Sequence, residues 1–207
     1  MRLNVFVLSL LAFAASASAG MACDGRAEVE AAFAKQHEKP WRTRIASTSE
    51  TGPVQEQIYD YQPPDRLHRT VKVGDETVET IGVGRRAWSA QGGAWKELDG
   101  PYARVVTTHL SASFAKPRAS ADFTCLGEVA YEGKTYLGYQ TKPEKMEDGK
   151  VVARTIYVDP ATGLPAYNII GTVGGDDEPP LHKEEHSYPT DIDIIGPTGK
   201  SDFSPMP

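Results

Sequence analysis

His182-Lys183-Glu184-Glu185-His186 has residue types and spacing that match a metal chemistry, the H-x-x-E-H pattern of zinc peptidases. On a helix the two histidines would share one face and hold one zinc. Pro179-Pro180 just before and Pro189 just after leave too little chain for such a helix. Read as a strand, His182, Glu184 and His186 share one face, which could hold an adventitious metal. The plainer expectation is a polar outer strand. No Gly-x-Ser-x-Gly occurs, and Gly82-Val83-Gly84 lacks the third glycine and following helix of a dinucleotide loop. Those glycines suit a bulge or bend in a curved sheet. No carboxylate pair stands out as an acid–base couple, and Asp159, before Pro160 and Gly163, reads as a turn residue. No catalytic residue, metal or cofactor is therefore expected, and the chain is not expected to be an enzyme.

The aromatic residues are more informative. Trp88 and Trp95 flank a hairpin signal, and Tyr102 and Phe114 lie on a candidate helix with Val105, Val106, His109 and Leu110. These eight side chains are either core or the lining of a cavity for an apolar ligand. His109 is a satisfied, partly buried side chain or a ligand contact. Arg66, Arg69, Arg85 and Arg86 read as a basic patch for anionic head groups or as a solvated strand face. The net charge of −6 favours the second and removes nucleic acid from the expected partners.

These residues need elements to position them. Residues 24–38 read as a helix with Asp24 as N-cap and Val29, Ala32, Phe33 and Gln36 on one face, stopped by Pro40. Short segments of period near two follow, among them 41–48, 55–61, 66–73, 76–88 and 95–98. Pro101 opens a second helix that Pro117 ends, with Tyr102, Val105, Val106, His109, Leu110, Ser113 and Phe114 on one face. The strand pattern then returns over 123–131, 135–141, 151–158, 164–173, 181–187 and 191–195. The expectation is a mainly β domain of α+β type, with about ten antiparallel strands in meander order. Two amphipathic helices should cover one curved face. The domain spans 20–196, and the Gly-, Pro- and Ser-rich residues 197–207 form a loose tail.

Residues 1–19 carry the three-part pattern of a cleavable secretory signal: Arg2, the apolar run Val5 to Phe13, and Ala17-Ser18-Ala19 before Gly20. A retained anchor and lipidation at Cys23 are the alternatives. Cys23 and Cys125 are the sole cysteines. In an oxidising compartment they should bridge, pinning the first helix to a strand of the second half.

Tyr61-Gln62-Pro63-Pro64-Asp65-Arg66, then Glu79-Thr80-Ile81-Gly82 and Trp88…Gly93-Ala94-Trp95, resembles the progression in periplasmic LolA-like proteins. These are the lipoprotein carriers and their outer-membrane acceptors, LolA and LolB. Ile156 to Pro165 resembles their strand-turn-strand containing D-P-A-T-G-L-P, and Tyr188 to Ile194 their closing segment. The resemblance implies a half-open barrel around a hydrophobic cavity, covered by helices. It also implies a lipid-like or acylated ligand held without covalent chemistry, and a membrane-bound donor or acceptor protein as partner. The chain is expected to be a periplasmic monomer. The alternative is an envelope interaction protein whose cavity is filled by its own side chains.

Overall fold

The computed structural model describes residues 23–47, 55–175 and 178–197. The expected signal segment and residues 198–207 of the expected tail lie outside the described residues. Helix α1 spans Gly25–Gln36, and the Asp24 carboxylate caps it by accepting from the Ala27 N–H at 3.1 Å. Glu28 in its first turn and Lys35 in its last both suit the helix dipole. Its start lies against strand β7 (Phe123–Tyr131): a Cβ on Gly25 would stand 2.3 Å from the Phe123 carbonyl oxygen. Beside that contact the Cys23–Cys125 disulfide is formed, with 6.3 Å between the Cα atoms.

The remaining strands are β1 (Trp41–Ser47), β2 (Gln55–Gln62), β3 (Arg66–Val73), β4 (Glu76–Val83), β5 (Arg86–Gln91) and β6 (Ala94–Glu97) before helix α2 (Gly100–Ser113). After β7 come β8 (Lys134–Thr141), β9 (Glu144–Lys145), β10 (Val151–Val158), β11 (Pro165–Thr172) and β12 (His182–Ser187). All pairings are antiparallel, in the order β6-β5-β4-β3-β2-β1-β12-β11-β10-β8-β7 with β9 on β10. The sheet is curved and stays open, as a half-barrel.

Two meanders thus meet at β1 and β12, and β6 and β7 occupy opposite edges. The chain between those edges must cross the sheet. The 14 residues of α2 give about 21 Å, and residues 114–122 add at most about 30 Å. Laid flat, the path across the sheet would be about 48 Å. The connection is just long enough, so α2 lies over the face it crosses, and curvature shortens that crossing.

Twelve strands replace the expected ten or so. The segment read as one strand over 76–88 folds into two, because Gly84 (φ +56°) turns the chain between β4 and β5. The two-residue β9 is added. Residues 191–195, expected as a last strand, join no ladder. Their backbone is held by side chains instead: the Ile194 N–H donates to Gln62 Oε1 at 2.7 Å and its carbonyl accepts from Arg66 at 2.8 Å.

Register separates the two faces of the sheet. A Cβ on Gly82 would meet Val106 at 3.2 Å and Leu110 at 3.4 Å, so Gly82 and its partner Ala87 face α2. The neighbouring pair Ile81 and Trp88 must point the other way. There they form a cluster with Val83, Ile192 and Ile194, against which Trp95 packs. The helix-covered face has two apolar ends. Under α2, Trp41, Tyr61 and Leu67 pack with Leu110 and Phe114. Under α1, Tyr139, Ile156 and Val158 pack with Val29, Ala32 and Phe33.

Candidate functional site

Between those ends the covered face is polar. Thr43 of β1 pairs with His186 of β12, and Glu184 pairs with Asn168 of β11, so these side chains form one row. Arg154 of β10 donates from Nε to Asn168 Oδ1 at 2.8 Å. Asn168 Nδ2 donates to Glu184 Oε2 at 2.6 Å, and His182 Nε2 lies 3.0 Å from Glu184 Oε1. His186 Nδ1 lies 3.0 Å from Thr43 Oγ1. Burial drives the His186 imidazole down to about 4, opposed by the charge of Glu184 and reinforced by that of Arg154. For Glu184, burial pushes the carboxyl up. Contact with His182, His186 and Asn168 outweighs it and holds the group below its ordinary value.

This row corrects the reading of β12. The strand is not an outer one; it stands within the sheet between β1 and β11, with His182, Glu184 and His186 on the face that the helices cover. They do share one face, as the alternation required. Among the described residues no three His, Cys, Asp or Glu side chains form a metal-binding group.

Among the described residues, two abutting hollows on the covered face concern the site. The larger, about 420 Å³, lies between α1, the end of α2 and residues 115–120, walled by Val29, Phe33, Pro117, Phe123 and Ile156. Arg154 reaches it from the polar row, and Lys116 and Arg118 stand in its wall. The smaller, about 230 Å³, is lined by Trp41, Tyr59, Tyr61, His109, Glu184 and His186. His37 and Ser113 belong to both, so the hollows abut. The rings of the smaller one stand in a row, His37 on Trp41 at 5.2 Å and Trp41 on Tyr61 at 4.5 Å. Burial raises the Tyr61 hydroxyl well above its ordinary value and lowers His37 and His109.

Of the eight residues expected to line a cavity, the structure brings four to the covered face. Leu110 is fully buried, Val106 meets Gly82, Phe114 packs on Trp41 at 5.3 Å, and His109 Nε2 lies 3.3 Å from Tyr61 Oη. Trp88 and Trp95 lie on the opposite face, under residues 192–194, and line neither hollow. Tyr102 and Val105 are 71% and 70% exposed. Val105 stands about 100° around the helix from Val106, and Tyr102 sits in the first turn, where the sheet does not cover it. The four arginines do not share one face. Register puts Arg66 and Arg69 on opposite faces, and Arg86 pairs with Glu97 at 2.8 Å.

The sequence reading missed Arg154, Phe123, Ile156 and the cations of residues 116–118. Arg154 and Ile156 alternate in β10 and were legible as one face, but nothing local marks that face as covered. Lys116 and Arg118 belong to a connection whose course depends on the whole topology.

No family model matches the chain, and no curated protein matches it. Solved structures do match at low similarity. MucB is 13% identical over 83% of this chain and 62% of its own, with a TM-score of 0.37. MucB in complex with the periplasmic part of MucA is 13% identical over 80% of this chain and 55% of its own, at 0.36. A DUF1329 family protein from Desulfovibrio piger is 8% identical over 83% of this chain and 96% of its own, at 0.31. The matched region thus spans about six tenths of the MucB chain.

Proposed function

We propose that the chain is an exported, LolA-like binding or carrier protein for an amphiphile, with an apolar chain in the larger hollow and a polar end toward the smaller one. The observation that carries this reading is the pair of abutting hollows, one walled by Val29, Phe33, Phe123 and Ile156, the other by aromatic rings and hydrogen-bonding groups. The volume of the larger hollow suits small-molecule sites, which run from about 300 to 1,000 Å³. Sheltering a methylene is worth about 0.8 kcal/mol, so about a dozen together offset a binding cost of several kcal/mol. The reading is of binding without covalent chemistry, and in the polar row Arg154 Nε, Asn168, Glu184 and His182 are engaged with one another. The formed disulfide supports an oxidising, periplasmic compartment.

Native mass spectrometry of protein purified from the periplasm tests the reading, with Ala112→Trp as the blocked control. Ala112 is an exposed residue of α2 on the wall of the larger hollow, so the indole narrows that space without disturbing the core. The expected result is a copurifying amphiphile that the variant loses. Repeated preparations with no such ligand, and no uptake of Nile red, would overturn the proposal.

A further inference from the structure

The larger hollow is apolar in its walls and basic in its charge. Lys116, Arg118 and Arg154 line it against a single carboxylate, Glu30. Glu30 is already engaged, accepting from the Ala119 N–H at 2.9 Å and standing 3.6 Å from Arg26. This basic lining belongs to a chain of net charge −6. Arg154 differs from the other two cations because it rises from the sheet floor rather than a loop. Its Nε is spent on Asn168, which fixes the plane of the guanidinium and leaves the two terminal nitrogens for another partner. Among the described residues no carboxylate lies within ion-pair distance of Arg154, and Glu184 is held at the other end of the Asn168 amide. A half-buried arginine without a counter-ion is costly, and a planar fork of donors suits an oxyanion.

We infer that the amphiphile is anionic, a single-chain carboxylate or phosphate monoester whose head pairs with Arg154 where the apolar hollow meets the polar row. The inference rests on the proposed binding function and adds the head-group charge. Lys116 and Arg118 supply attraction at the loop side of the hollow, and Arg154 supplies the directional contact.

The test compares four probes of equal chain length by displacement of Nile red from the full chain: palmitate, hexadecyl phosphate, hexadecanol and hexadecyltrimethylammonium, each below its micellar concentration. Palmitate or hexadecyl phosphate should bind at least tenfold more tightly than hexadecanol, and whichever leads identifies the head chemistry. Arg154→Gln should bring the anions down to the level of hexadecanol measured on the same variant, and Arg154→Lys should restore part of the preference. Equal binding of all four probes, or an anion preference that survives Arg154→Gln, overturns the inference and leaves the binding function standing. Failure of every probe to bind overturns both.

Discussion

Arg154 and Glu184, on strands separated by β11, are joined through a single side chain. Asn168 accepts from one at 2.8 Å and donates to the other at 2.6 Å. Asn168 is itself only 4% exposed, so neither charged group can replace it with bulk water at low cost. Asn168→Leu keeps roughly the same volume and removes both hydrogen bonds. The expected loss is about 3 kcal/mol, because two hydrogen bonds to charged groups vanish and one of them served a largely buried carboxylate. Urea unfolding at neutral pH measures it as a lower midpoint at unchanged slope. A loss below about 0.5 kcal/mol would mean that the row is not a connected network.

Trp88 separates the two faces by experiment. It is 2% exposed, and its indole Nε1 has no hydrogen-bond partner among the described residues. Trp88→Phe removes volume from the cluster with Ile81, Ile192 and Ile194 but leaves no new orphan donor. The fold should lose about 1–2 kcal/mol, and ligand affinity should stay within about twofold, because the helix-covered face is untouched. Phe33→Ala, on the wall of the larger hollow and packed on the α1 cluster, should in contrast weaken binding about tenfold, a loss of about 1.4 kcal/mol, besides destabilising the fold. Paired titrations of the two variants decide whether the faces are assigned correctly.

How far the sequence could be read depends on the range of the interaction. Local signals worked: Asp24 caps α1, Pro40 and Pro117 follow the two helices, and alternation marked nearly every strand. The curved antiparallel sheet with its two helices was legible from that alone. The disulfide was legible because two cysteines permit one pairing. Facing was not. Trp88 and Gly82 differ in facing only through their register positions across β4 and β5, and no local feature says which lies under α2. The polar alternation of β12 read as an outer strand, because its place within the sheet comes from β1 pairing across a separation of some 140 residues, as in Thr43 with His186. Residues 191–195 alternate like a strand, yet the backbone partners of Ile194 are the side chains of Gln62 and Arg66. The cations at the larger hollow were invisible for a related reason. They converge only once the connection from β6 to β7 crosses the sheet.

His186 gives the covered face a pH dependence of definite sign. Thr43 faces it at 3.0 Å, Glu184 Oε2 stands 3.9 Å from its Nε2, the Phe33 ring meets it edge-on at 6.0 Å, and Arg154 acts on it through its charge. Its folded pKa of about 4 lies below the ordinary value of 6.5, so between those values the unfolded chain binds the proton and the folded chain does not. Stability is therefore fully present above about pH 6.5 and falls as the pH drops toward 4, by about 3 kcal/mol over the window. Glu184 acts in the same direction at lower pH: its depressed carboxyl stabilises the fold above its ordinary value, and that contribution is lost as the group protonates. Urea unfolding of wild type and His186→Gln at pH 7.5 and pH 4.5 isolates the imidazole. Acidification should cost the wild type about 2–3 kcal/mol more than the variant, since His37 and His109 titrate in both. Equal losses would show that the imidazole already takes up its proton in the folded state, and burial as the control on its charge would have to be abandoned.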